Sequence, residues 1–202
     1  MFDRGRVLAL VGLAAAVGLV LALGWDGPVH LFFAAHHQEA WSRAWSQAAY
    51  YAGLGGLQGG LLAAIAFVAW RAGRRPLAVN ALGGVGAVIA AGAGVQVLKH
   101  LVGRPRPRLA LPAWEYFGPT LSSDLHSFPS GHAATSFAVA GLIAAQYPRL
   151  AAPLYGLAGA ISLGRVASGS HYLSDVLGGA LLGLLVAWPL AASLRRWLEE
   201  TA

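Results

Sequence analysis

Long apolar runs separated by short polar stretches dominate the chain. About 20 apolar residues cross the hydrocarbon core of a bilayer as a helix, and shorter runs are typical of buried helices. We therefore predict an all-α integral membrane bundle of six transmembrane helices, in a single domain over residues 1–202. The predicted spans are residues 7–24, 53–70, 77–98, 129–147, 150–164 and 176–194. The first run also resembles a signal peptide, but such peptides have apolar cores of about 7–15 residues, so we favour an uncleaved span.

The stretch over residues 26–51 alternates aromatic and polar side chains and is too polar to span a membrane. Tryptophan and tyrosine favour the headgroup level of a bilayer. We therefore predict a short interfacial helical segment after the first span. A metal site at His36, His37 and Glu39 is the alternative for this stretch. Adjacent histidines point to different faces of a helix, which favours solvated side chains instead.

Composition agrees with a membrane protein. The 202 residues are 57% hydrophobic and 11% charged, whereas soluble domains carry about 25% charged residues. The absence of cysteine excludes disulfides and thiolate metal sites. The net charge of +6 does not indicate nucleic-acid binding, because the cations lie at the ends of apolar runs rather than on a soluble basic face.

The distribution of cations predicts the orientation, since cytoplasmic loops are enriched in Lys and Arg. Six spans place both termini on one side, with eight arginines: Arg4, Arg6, Arg71, Arg74, Arg75, Arg149, Arg195 and Arg196. The opposite side has Arg43, Lys99, Arg104, Arg106, Arg108 and Arg165, most of which belong to polar motifs. We therefore expect cytoplasmic termini and motifs on the outer face, which in a bacterium is the periplasmic face of the inner membrane.

The first polar motif, K-x6-R-P, follows the third span and contains Lys99 and Arg106. Arginine presents a planar fork that matches phosphate oxygens, and lysine supplies a point charge. The alternative is that these cations simply flank a span, but a basic cluster on the outer side goes against the orientation rule. Arg104-Pro105 is a competing Arg-Pro pair, and its contribution stays open.

The second motif, P-S-G-H, opens the fourth span with Ser130, Gly131 and His132. A helix N-terminus offers free N–H groups and a positive dipole end, which favour anions. Ser130 and the neighbouring amides are therefore candidates for phosphate binding, although an ordinary helix cap is an equal alternative for Ser130. Asp124 and His126 lie just upstream, and no role is assigned to either.

The third motif, R-x5-H-x3-D, is the most specific. His171 and Asp175 are four residues apart, so on a helix they would share a face. A carboxylate bonded to one imidazole nitrogen fixes the tautomer and makes the other nitrogen more nucleophilic. Arg165 adds a third cation. Ionisable groups at the edge of a bilayer are costly and usually functional.

Together the three motifs resemble the type 2 phosphatidic acid phosphatase superfamily in order and spacing. Gly164 departs from that pattern, which usually has serine there. The resemblance implies that His171 attacks phosphorus, that Asp175 orients it, and that His132 is the general acid and base. It also implies that the phosphate is bound by Lys99, Arg106, Ser130, Gly131 and Arg165. It implies no metal or other cofactor.

The implied activity is hydrolysis of a lipid phosphate at the outer membrane face, with undecaprenyl diphosphate as the leading substrate. The alternatives are phosphatidylglycerol phosphate, phosphatidate and lipid A. Vanadium haloperoxidases share the superfamily but are soluble, which the six apolar runs disfavour. A non-catalytic anion transporter is the alternative of another class, and a carboxylate-backed histidine argues against it. The oligomeric state stays open.

Overall fold

A computed structural model describes residues 4–200, and these residues form a bundle of α-helices joined by loops and short 3-10 turns. The helices are α1 (Arg4–His36), α2 (Ala40–Ala52), α3 (Gly55–Arg71), α4 (Arg75–Val102), α5 (Gly131–Gln146), α6 (Ala151–Ala167) and α7 (Leu173–Glu200). The long connection between α4 and α5 contains 3-10 turns at Pro107–Leu109 and Ser123–Leu125. A third turn, Pro148–Leu150, precedes α6.

Helix α5 lies at the centre of the bundle, where it packs against α7, α4 and α6. Small residues allow α5 and α7 to approach closely. A Cβ atom on Gly183 of α7 would lie 2.8 Å from the backbone nitrogen of Ala138 on α5. The core beside this contact consists of alanines with Val95 and Leu142. Close helix contacts of this kind are typical of membrane bundles, where small residues let backbones approach.

The outer surface carries many large apolar side chains, among them Leu61, Phe67, Ile89 and Leu185, each more than 60% exposed. A soluble protein rarely exposes so much apolar area, so these faces are suited to lipid. Four segments are long and apolar enough to cross a membrane: Gly12–His36, Arg75–Leu109, Pro148–Ala167 and Leu173–Glu200. Helices α2 and α3, bent by 53° at their junction, provide a fifth candidate if they form one broken span.

The sequence prediction of an all-helical membrane bundle is confirmed, and each predicted apolar run corresponds to a helix, although the first helix extends well beyond the predicted run. The number of spans is confirmed only as four to five. The fourth predicted span, residues 129–147, corresponds to α5, which has 16 residues. At 1.5 Å per residue it is about 24 Å long, shorter than a typical hydrocarbon core.

The predicted interfacial segment needs a correction, because α1 continues without a break from Arg4 to His36. The first part of residues 26–51 therefore belongs to the first long helix, and only α2 is a separate amphipathic element. Asp26 is compatible with this continuation because it is buried and forms an ion pair with Arg104. Its charge is thus neutralised inside the bundle rather than solvated at the interface.

Candidate active site

Four helix ends bring the three motifs together. The last turn of α4 carries Lys99, α5 begins at Gly131, and the connection from α6 to α7 carries His171. The backbone N–H of Ser130 donates to the Asp175 carbonyl at 2.9 Å, which joins the second motif to the third. The Ser127 hydroxyl donates to Oδ2 of Asp175 at 2.5 Å. The predicted convergence of the motifs at one end of the bundle is therefore present in the structure.

His171 lies in the loop before α7, so the expectation that it shares a helix face with Asp175 is wrong. The two side chains nevertheless meet, with Nδ1 of His171 3.6 Å from Oδ2 of Asp175. This distance is somewhat longer than a hydrogen bond. The backbone N–H of Tyr172 donates to the same carboxylate oxygen at 2.8 Å and holds it beside the ring.

Burial lowers the pKa of His171 to about 4, although the neighbouring Asp175 acts in the opposite direction. The imidazole is therefore neutral near pH 7, and one ring nitrogen keeps a free electron pair. A neutral imidazole beside a carboxylate is the form needed for nucleophilic attack.

The three cations surround this histidine. Arg106 donates from Nη1 to the Ser170 carbonyl at 3.1 Å, and Arg165 donates from Nη2 to the Ser170 hydroxyl at 2.9 Å. Both guanidinium groups are thus held next to the residue that precedes His171. Lys99 is buried and donates from Nζ to the His126 carbonyl at 2.6 Å. Three cations held in this way are suited to binding an anion.

Ser130 precedes the first residue of α5, as predicted, but its hydroxyl does not cap the helix. His132, in the first turn, contacts Tyr50 of α2, with Nε2 3.1 Å from the Tyr50 carbonyl. A carbonyl can only accept, so Nε2 carries the proton and Nδ1 is the nitrogen left to exchange one. The Tyr50 ring also lies 5.3 Å below the Arg165 guanidinium. Tyr50 was not predicted from the sequence, and it positions both residues.

Several buried polar atoms of the motifs have no hydrogen-bond partner: Ser130 Oγ, Arg165 Nε and His171 Nδ1. Buried polar groups in native proteins are nearly always paired, so unpaired ones need an explanation. Ser130 belongs to the second motif, and Arg165 and His171 belong to the third. The sequence predicts anion binding for the first two residues and nucleophilic attack for His171. His171 Nδ1 faces Asp175, so Ser130 Oγ and Arg165 Nε are the two unpartnered atoms suited to a polar ligand.

Arg104, the competing arginine of the first motif, is fully buried and is not available to a ligand. Its guanidinium donates to Asp175 at 2.5 Å and to Asp26 at 2.7 Å. Asp26 is the second partner that sequence reasoning missed, because it lies 78 residues away in a stretch interpreted as interfacial. The positions of the charged residues along the sequence do not indicate that Asp26 and Arg104 form a pair.

The residues upstream of α5 have structural roles. The Asp124 carboxylate pairs with Arg108 at 2.5 Å in an exposed contact. His126 supplies its carbonyl to Lys99, while its Nε2 lies 3.0 Å from the Thr120 carbonyl. Among residues 4–200, no group of three or more His, Cys, Asp or Glu side chains is arranged to hold a metal ion, and His36, His37 and Glu39 form no such group.

Gly53, at the break between α2 and α3, leaves the space that the His132 ring occupies. A Cβ atom there would lie 2.5 Å from Cδ2 of His132 and 2.7 Å from Cγ2 of Ile161. We expect Gly53→Ala to displace the His132 ring and to lower kcat about 10- to 100-fold, since displacements near 1 Å have effects of this size.

Gly56→Ala is the matched control, because a Cβ atom on Gly56 meets nothing within 4 Å. Steady-state turnover by both variants, together with their unfolding temperatures, tests the prediction. Equal kcat values for the two folded variants would show that the position of His132 does not depend on Gly53.

Comparison with known proteins agrees with this geometry. The family model described as PAP2 superfamily matches residues 80–199, which is more than half of the chain and includes all three motifs. A lipid A 1-phosphatase from Porphyromonas gingivalis is 40% identical over 79 residues, which are 37% of this chain and 17% of that protein. The match therefore spans about a sixth of that relative's length.

A solved structure is also similar: a transmembrane PAP2-type phosphatidylglycerolphosphate phosphatase from Bacillus subtilis. It is 22% identical, with a TM-score of 0.38, and the match covers 85% of this chain and 97% of that one. The four to five candidate spans indicate a multi-pass membrane protein. The motifs, their convergence and the matching family model lead to one conclusion: this chain belongs to the PAP2 superfamily.

Proposed function

We propose that the protein is a metal-independent membrane lipid phosphatase that works through a phosphohistidine intermediate. The observation that carries the proposal is the convergence of a carboxylate-backed histidine with three cations, beside buried polar atoms that lack partners. An anion-binding site needs only positive charge, whereas a neutral histidine backed by a carboxylate is suited to nucleophilic catalysis.

In the first step, Nε2 of His171 forms a bond to phosphorus and the bond from phosphorus to the leaving oxygen breaks. Burial and the charges of Arg165, Lys99 and Arg106 disfavour protonation of His132, and the negative charge of the bound phosphate offsets those cations. Protonated His132 then gives its Nδ1 proton to that oxygen. In the second step, Nδ1 of His132 takes a proton from water, the water oxygen attacks phosphorus, and the bond to His171 breaks. The Tyr50 carbonyl holds Nε2–H of His132 throughout, so that a single nitrogen exchanges protons in both steps.

The negative charge that develops on the phosphoryl oxygens is stabilised by Lys99, Arg106 and Arg165. Ser130 Oγ and the amide of Gly131, at the N-terminus of α5, are further donors. Fixed donors in a buried site stabilise the transition state without reorganisation, and each is typically worth about 100- to 1,000-fold in rate. The neutralisation that a metal ion provides in other phosphatases is thus assigned to side chains.

An apolar groove supports a lipid substrate. The groove has a volume of about 380 Å³ and is lined by side chains of α3, α5 and α6. Its α5 residues include Ser136, Val139 and Ile143, which follow His132 at helical spacing on one face. Gly53, which contacts His132, also contacts Ile161 in the groove wall. A lipid tail in this groove would keep the phosphate beside His132.

The membrane arrangement is part of the proposal. If α1, α3, α4, α5, α6 and α7 all cross the bilayer, both termini lie in the cytoplasm and the motifs face the periplasm or the outside. Burial of Arg104 between two carboxylates supports this orientation, because it removes one cation from the outer surface. The same bundle, residues 1–202, forms one domain, and the membrane is the bacterial inner membrane.

Undecaprenyl diphosphate stays the first substrate to test. The related proteins act, by their names, on lipid A and phosphatidylglycerolphosphate, which supports testing both beside it. Phosphatidate completes the set. All four present a phosphate at the membrane surface and have apolar tails in the bilayer. The phosphate matches the cations of the site, and the tail matches the apolar groove.

The test is phosphate release by the purified protein in detergent with EDTA, across these four lipids. We expect metal-free release from at least one lipid and none from the His171→Ala variant. Release abolished by EDTA and restored by Mg²⁺ would contradict the metal-independent mechanism. Folded protein that binds phosphate but releases none would favour the non-catalytic anion transporter.

A further inference from the structure

Asp26 of α1 lies outside the residues that the family model matches and is only 1% exposed. Its Oδ1 accepts the backbone N–H of Ser174 at 2.8 Å, and its Oδ2 accepts the Ser174 hydroxyl at 2.5 Å. Ser174 is in the first turn of α7, next to Asp175. A carboxylate that accepts N–H groups at a helix N-terminus stabilises that end of the helix. Asp26 therefore holds the turn that carries Asp175.

Asp26 is also joined to Asp175 through Arg104. The guanidinium donates from Nη2 to Asp26 at 2.7 Å and from Nη1 to Asp175 at 2.5 Å. Nη1 also lies 2.7 Å from the Ser174 hydroxyl, and Nε donates to the Ala113 carbonyl at 3.0 Å. Every nitrogen of this side chain is thus bound to the protein, and its position is fixed by α1 as much as by α7.

The carboxylate of Asp26 changes the net charge of the buried network that contains Asp175. One guanidinium faces two carboxylates, so the set keeps one net negative charge. Without Asp26, Arg104 would be paired with Asp175 alone and would neutralise it. Asp175 could then no longer stabilise the positive charge that develops on His171 as its Nε2 attacks, because electrostatic interactions are strong in a buried site.

We propose that Asp26 is a positioning residue for phosphoryl transfer: by binding Arg104 and Ser174, it holds Asp175 in place beside His171 and leaves the Asp26–Arg104–Asp175 network with a net negative charge. The inference rests on the proposed phosphatase function. It gives α1, which contributes none of the three motifs, a defined part in the chemistry.

The test is rapid-quench measurement of phosphoenzyme formation by the full-length Asp26→Asn protein on the lipid that the wild-type protein hydrolyses. Asparagine keeps the size of the side chain and removes its charge. The burst amplitude counts folded sites, and the burst rate constant reports the chemistry at each of them. We expect a rate constant about 10- to 100-fold lower than that of the wild type, as for other residues that orient a reacting group.

Asp124→Asn is the matched control, since it removes a carboxylate from the exposed pair with Arg108. We expect its rate constant to equal that of the wild type. A purely structural role for Asp26 would lower the amplitude and leave the rate constant per site unchanged, and that result would overturn the inference.

Ser174→Ala tests the same network if Asp26→Asn yields no folded protein, because it removes one hydroxyl and leaves all charges. The hydroxyl donates to Asp26 and accepts from Arg104, so two hydrogen bonds are lost. A rate constant lowered about 3-fold or more supports the inference, and an unchanged one overturns it. Wild-type protein that forms no phosphoenzyme overturns the proposed function together with the inference. A wild-type burst with unchanged variants overturns the inference alone.

Discussion

Replacement of His171 by alanine is expected to lower the turnover of lipid phosphate by about 10⁴-fold or more. The side chain is the proposed nucleophile, and no other described imidazole lies beside Asp175. Loss of a nucleophile removes the covalent route altogether, and the binding contacts that remain give only a small residual rate. The measurement is phosphate release at saturating lipid, normalised to folded protein.

His100→Ala is the matched control. His100 lies in the last turn of α4, near the site, but its Nδ1 lies 2.7 Å from the Gln96 carbonyl within its own helix. We expect its turnover to stay within about twofold of the wild type, as for a residue without contact to the reacting atoms. Comparable turnover by the two alanine variants, with contaminating phosphatase excluded, would refute the assignment of His171.

Replacement of Arg104 by methionine is expected to destabilise the protein by about 3–5 kcal/mol. The change leaves Asp26 and Asp175 buried without their shared cation, and removal of one partner from a buried ion pair typically has this cost. A loss of this size lowers the unfolding temperature by roughly 6–20 °C in a protein of this length. Tryptophan fluorescence during heating in detergent measures it.

Arg108→Ala is the control for this prediction. Arg108 also pairs with an aspartate at 2.5 Å, but its side chain is 59% exposed. Exposed pairs contribute at most about 1 kcal/mol, so we expect little change in the unfolding temperature. Equal shifts for the two variants would mean that burial of the Arg104 network does not stabilise the fold.

The motifs could be predicted from the sequence because their information is local. The spacing of Lys99 and Arg106, the helix start at Ser130 and the separation of His171 from Asp175 are all visible in short stretches. The apolar runs indicate that these stretches lie at the ends of helices. The family resemblance gives the order of the motifs, and the structure shows their convergence.

The Asp26–Arg104 pair could not be predicted in the same way, because its partners lie far apart in the chain. From the sequence, Asp26 is a polar residue after an apolar run, which normally indicates the end of a span. In the structure, Arg104 neutralises it and α1 continues to His36. The contact of Tyr50 with His132 was missed for the same reason, since it depends on how α2 packs against α6.

The number of spans also differs from the prediction, with four to five candidates in the structure against six predicted from hydropathy. The predicted span of residues 129–147 includes Pro129 and Ser130 before the helix and Tyr147 after it. The helix itself, α5, has only 16 residues and is the central element of the bundle, with buried alanines on several sides. Apolar runs of this length indicate a core helix as readily as a span.

The most direct test of the account is to identify the covalent intermediate. Protein incubated briefly with radiolabelled lipid phosphate and quenched should carry a label that is labile in acid and stable in base, as a phosphoramidate is. Peptide mapping should place the label on His171, and the His171→Ala protein should carry none. A label on His132, or rapid hydrolysis without any covalent label under the same quench, would contradict the proposed mechanism.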